Sequence, residues 1–92
     1  MERTNELFIQ ELLDYYEIRH SDFIGYNYKI DAPVTALELV HEFIHLTHQE
    51  QNEVFCEVMQ VYKKVSKMEM LNRLLDVYFN ITDYKRGKNN DQ

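Results

Sequence analysis

Three times along the chain a hydroxyl side chain is followed, three residues on, by a glutamate: Thr35-x-x-Glu38, Thr47-x-x-Glu50 and Ser66-x-x-Glu69. In such a pair the hydroxyl accepts a hydrogen bond from a free amide of the first helical turn, and the carboxylate reaches back to the amide of the cap. Each pair precedes apolar residues at helical spacing, so each predicts a helix start. One helix is expected from about Thr35 to Leu46, following Pro33. The next spans about His48 to Lys64, with Val54, Phe55, Val58, Val61, Tyr62 and Val65 as its buried stripe. The last runs from about Ser66 to Ile81 and buries Leu71, Leu74, Leu75, Tyr78 and Phe79. Upstream, Phe8, Leu12, Leu13, Tyr15, Tyr16 and Ile18 supply a further stripe over about Thr4 to Arg19.

Between the first two of these helices lies FIGYNYKIDAP, in which Ile24, Tyr26, Tyr28 and Ile30 alternate with Gly25, Asn27 and Lys29. That is the period of a strand. A lone strand cannot satisfy its own backbone, so it pairs across a homodimer, pairs with a second short segment, or stays an extended loop. The expected fold class is mainly α, a compact bundle of about four helices with at most one short β element. A chain of 92 residues has room for one modest core, so residues 1–84 are expected to form a single helical domain. The closing KRGKNNDQ, residues 85–92, is expected to be a flexible basic and polar tail.

Charge narrows the function classes. Residues 1–57 hold 12 acidic and 3 basic residues, a net of −9, whereas residues 58–92 hold 4 acidic and 7 basic, a net of +3. Nucleic-acid binding needs a basic face, and the larger part of this chain would repel phosphate, so no direct nucleic-acid contact is expected. An acidic half suits a protein partner with a basic surface; the plain alternative is a solvated face that serves solubility. No apolar run approaches the ~18–20 residues of a membrane span, and the start MERTNELF lacks the basic and apolar regions of a signal peptide. The single cysteine, Cys56, fits a reducing compartment, and a cytoplasmic location is expected.

The segment Val40–His48 reads VHEFIHLTH. On a helical wheel His41, His45 and His48 form one stripe between an apolar arc and the acidic Glu38 and Glu42. His41 and His45 are one turn apart, so both rings can reach one ion; His48 joins them if the helix continues past the cap signal at Thr47. Imidazoles beside hydrophobic walls with carboxylates near them suit zinc. A structural zinc on His41, His45 and His48 is therefore expected, and it would staple a domain of this size. Fourth-ligand candidates are His20, Asp22 and Cys56, the last only if its helix folds back or a second protomer supplies it. The alternative is a set of half-exposed histidines flanking a core helix, with Cys56 a small apolar residue.

His41, Glu42 and His45 spell HExxH, and over those five positions the chain resembles the zinc-peptidase (zincin) families. That resemblance implies a zinc held by the two histidines and a water activated by Glu42 as general base. The extended metzincin pattern wants glycine at position 48 and histidine at 51, where this chain has His48 and Gln51; a gluzincin-type third ligand would fall to Glu69, already used by a capping box. His48 as a further ligand closes the position a catalytic water needs. Farther on, VSKMEMLNRLLDVYF is similar to the second helix of ribbon-helix-helix DNA-binding proteins, although Lys63-Lys64 stand where those proteins carry glycine. In size, acidity and its Ile/Asn/Lys/Tyr-rich composition the chain is similar to the small acidic inhibitors of phages and mobile elements, anti-CRISPR and anti-restriction proteins among them. The function expected is a protein-binding inhibitor of a nucleic-acid-binding host enzyme. A minimal zinc metallopeptidase is the alternative, and a DNA-binding regulator the third reading.

Overall fold

The computed structural model describes the chain from Arg3 to Asn90, and its side chains from Asn5 to Thr82. The elements follow in the order α1 (Arg3–Tyr15), β1 (Phe23–Asn27), β2 (Ala32–Thr35), α2 (Ala36–Ile44), α3 (His48–Met59) and α4 (Lys67–Asn90). All three cap signals open a helix where the sequence places one. Thr35 Oγ1 accepts from Glu38 N at 3.3 Å, and Ser66 Oγ accepts from Glu69 N at 3.2 Å. At Thr47 both halves of the box form: Glu50 N donates to Thr47 Oγ1 at 3.2 Å and Thr47 N donates to Glu50 Oε1 at 2.9 Å.

Helix ends differ from the expectation. α1 stops at Tyr15 rather than Arg19 because Glu17 takes the left-handed conformation, φ 57°. Ile18 N then reaches back to Leu13 O at 2.8 Å and Glu17 N to Asp14 O at 3.0 Å, the paired bonds of a Schellman cap, with Ile18 and Leu13 both buried. A glutamate there carries a steric cost that glycine avoids. Glu17→Gly is expected to stabilise the fold by about 1 kcal/mol, read as a rise in Tm of a few degrees. α3 likewise ends at Met59, short of Lys64, ahead of a turn in which Lys63 has φ 66°. α4 instead runs past Ile81 to Asn90. The expected tail, 85–92, lies outside the residues whose side chains are described.

Where at most one short β element was expected, there are two strands. β1 pairs antiparallel with β2 in the register Phe23↔Thr35, Gly25↔Val34, Tyr26↔Pro33 and Asn27↔Ala32. Of the three fates open to the strand, pairing with a second short segment is the one realised. The register shifts between Phe23 and Gly25, which breaks the simple alternation, and β1 ends at Asn27. Tyr28 and Ile30 therefore sit in the turn, exposed, rather than on a strand face. Asn27 Oδ1 accepts from Lys29 N at 3.0 Å, and the Tyr26 hydroxyl donates to Asp31, a bond that raises the tyrosine pKa.

One core joins α1, the hairpin, α2 and α4: Ile9, Leu12, Leu13, Ile24, Val34, Leu39, Phe43, Met70, Leu74 and Val77 are all buried. α2 packs on α4 and α1, and β1 packs on α4. Tyr15, expected inside, is 52% exposed, while Ile9, passed over, is buried. α3 is the loosest helix, with Val58 its one buried residue and Phe55 half-buried. It leans on α1 through an aromatic edge, Phe8–Phe55 at 4.6 Å between ring centres, and Tyr62 of the following turn packs on the same Phe8 at 5.3 Å. The buried Tyr16 hydroxyl fixes the following turn, donating to Val65 O at 2.9 Å and accepting from Lys63 N at 3.1 Å. Tyr16→Phe strands both backbone groups, so a loss of about 1–3 kcal/mol is expected in urea unfolding. Among the described residues no helix is long and apolar enough to cross a membrane.

Candidate functional site

α2 projects the histidine motif from a helix whose other side is core. Ala36, Leu39, Val40 and Phe43 are buried, and His41 and His45 are exposed on the opposite face with Leu37 and Ile44. The rings of His41 and His45 lie 4.7 Å apart between centres, edge to face at 87°. His48 does not extend this stripe. α2 ends at Ile44, the complete box at Thr47 starts a new helix, and His48 is the first residue of α3. The box satisfies the backbone amides that a break frees at Thr47 and Glu50, so the break costs little and the cap overrides the wheel.

The candidate fourth ligands are engaged or apart. His20 Nε2 shares hydrogen bonds of 2.9 and 3.2 Å with the Gln10 amide. Asp22 accepts from Arg19 N at 2.8 Å and stands 3.7 Å from Arg19 Nε. Cys56 is exposed on α3. Among the described residues no three histidine, cysteine, aspartate or glutamate side chains gather as one metal-holding group. His41 and His45 alone supply two nitrogen ligands, half the set that a closed structural zinc takes. Glu42 is half-buried between them in sequence, and the histidine segment ahead of α3 is the helix α2 rather than a strand.

A different feature has the shape of a binding site. A groove of about 540 Å³ lies between α3 and the middle of α4. Leu46, Val54 and Ile81 give it an apolar lining, and Glu50, Glu53 and Glu57 line it along α3, with Asn80 on the α4 side. No lysine or arginine lines it among the described residues. Glu53 and Glu57 are exposed at i and i+4, one turn apart, while Glu50 is held by its cap. Gln51 Nε2 donates to Phe43 O at 3.1 Å and ties the near end of α3 to α2; Asn5 Nδ2 donates to Asn52 Oδ1 at 3.0 Å and ties it to α1. A carboxylate rim over an apolar floor accommodates a guanidinium or ammonium head together with its aliphatic stem.

The acidic half is visible in the sequence; the groove is not. Its signal was present as the spacing of Glu50, Glu53 and Glu57 around Val54, which on a helix puts all four side by side. Compared with family models, curated proteins and solved structures, the chain finds no match.

Proposed function

We propose that this chain is a small acidic protein-binding module that seats a basic segment of a partner protein in the groove between α3 and α4. The partner class is a nucleic-acid-binding enzyme, inhibited because the groove occupies arginines or lysines that would otherwise hold phosphate. What carries the reading is the coincidence of a concave shape with apolar Val54 and Ile81 and acidic Glu53 and Glu57 in its lining, where no cation stands among the described residues. The exposed acidic residues of α1, Glu6, Glu11 and Asp14, share the sign and would add long-range attraction. A nucleic-acid enzyme presents a basic surface by necessity, since phosphate contacts dominate its affinity. Action in the cytoplasm fits a lone, exposed Cys56.

Capture from a host lysate tests the reading. The immobilised protein is expected to retain a nucleic-acid enzyme at low salt, to inhibit it, and to release it as ionic strength rises. Retention of the same enzyme by a groove-reversed Glu53→Lys/Glu57→Lys protein would refute the assignment of the groove. Cleavage of a peptide substrate, lost in Glu42→Gln, would replace the binding module with a peptidase.

A further inference from the structure

The exposed face of α2 carries a second feature that the groove leaves unused. His41 and His45 are both exposed and one turn apart, with ring centres separated by 4.7 Å. Two imidazoles on one tetrahedral ion, with metal–nitrogen bonds of about 2.0–2.1 Å, hold their ring centres about 5 Å apart. The pair is therefore spaced as a chelate already. Its edge-to-face arrangement differs from a chelating one by side-chain rotations, which are fast for exposed residues.

Two ligands leave a tetrahedral ion half-coordinated. Among the described residues the chain offers no third ligand beside the pair. The same face exposes Leu37 at 52% and Ile44 at 40%, one on each side of His41 along the helix. Leu37, His41, Ile44 and His45 stand at i, i+4, i+7 and i+8, so a two-fold axis through an ion at His41 and His45 would bring the same four side chains from a second copy against them. That arrangement completes a four-histidine set and covers both apolar residues at once. The acidic Glu38 on this helix face would meet its own copy, a repulsion that a divalent cation between the helices offsets.

We infer that His41 and His45 form half of a transition-metal site, and that zinc bridges two copies of this chain through their α2 helices. The dimer is metal-dependent, uses two histidines from each copy, and does not involve His48.

Light scattering during gel filtration, with the chain at tens of micromolar, tests this directly. Zinc added at half an equivalent is expected to convert the 11.2 kDa chain to a species of twice that mass, and a chelator to reverse it. Calorimetry should give one zinc per two chains, and cobalt in place of zinc should show the intense visible absorption of a tetrahedral site. His41→Ala and His45→Ala should each abolish the dimer without changing the circular dichroism of the chain, whereas His48→Ala should dimerise as the parent does. A monomer at half an equivalent of zinc overturns the inference. So does a zinc dimer that survives His41→Ala, or one that His48→Ala destroys, since the last would place the third histidine in the coordination sphere.

Discussion

Phe43→Ala is expected to cost about 3–5 kcal/mol of folding stability, the range for truncating a large aromatic side chain in a packed core. Phe43 is 1% exposed and among the largest fully buried side chains of the fold. It sits on the core face of α2, where that helix meets α4 and α1. A domain of this size has a total stability of about 5–15 kcal/mol, so one cavity removes a large share of it. The expected fall in Tm is at least about 12 °C, and in urea the midpoint should drop with little change of slope. A loss below about 1 kcal/mol would mean that α2 is not packed as described. The histidine face would then lose its platform, and so would the near wall of the groove, because Gln51 hangs on the Phe43 carbonyl.

The second large effect is on binding. Glu53→Lys with Glu57→Lys reverses the two exposed carboxylates of the groove rim. Stability should scarcely change, since exposed substitutions away from caps and core fall within about ±0.5 kcal/mol. The positive end of a lysine near the last turn of α3 even suits the helix dipole. Affinity for a basic partner is another matter: like charges brought face to face cost several kcal/mol, and about 2.7 kcal/mol is already a 100-fold loss. A loss of about 100-fold or more in Kd is expected by calorimetry at 0.1 M salt, with most of the residual salt dependence gone. Glu50→Gln keeps the hydrogen bond to Thr47 and is expected to weaken binding far less than the double reversal.

Local chemistry explains which parts of the fold were legible in the sequence. The three helix starts depend on a hydroxyl and the residues within one turn of it: Thr35, Thr47 and Ser66 all accept the first-turn amide as read, and at Thr47 the glutamate also reaches back. The helix ends were not legible, because the left-handed residues that end α1 and follow α3 are Glu17 and Lys63 rather than the glycine or asparagine that marks such a stop. A local backbone bond from Ile18 to Leu13 closes the one, and a tertiary contact, the Tyr16 hydroxyl, holds the other. β2 escaped notice because four residues including Pro33 carry no visible alternation, and its partner's alternation is broken at Ile24 by the register shift.

The site was legible in pieces. His41 and His45 share an exposed face, as helical spacing requires. His48 does not continue it, and the complete capping box at Thr47, itself readable, is the reason. The groove was beyond reach of any local reading. Its acidic wall follows from α3 alone, but where α3 sits depends on distant contacts such as Phe55 against Phe8, 47 residues away in sequence. Spacing along one helix shows which side chains are neighbours. It does not show which side of that helix the rest of the molecule leaves uncovered.

The most direct test of the protein-binding assignment is a map of amide chemical shifts on isotope-labelled protein, titrated with the basic segment of the captured enzyme. The groove predicts perturbations centred on Leu46, Glu53, Val54, Glu57 and Ile81, absent in Glu53→Lys/Glu57→Lys. Perturbations confined to the acidic face of α1, around Glu6, Glu11 and Asp14, with α3 silent, would contradict it.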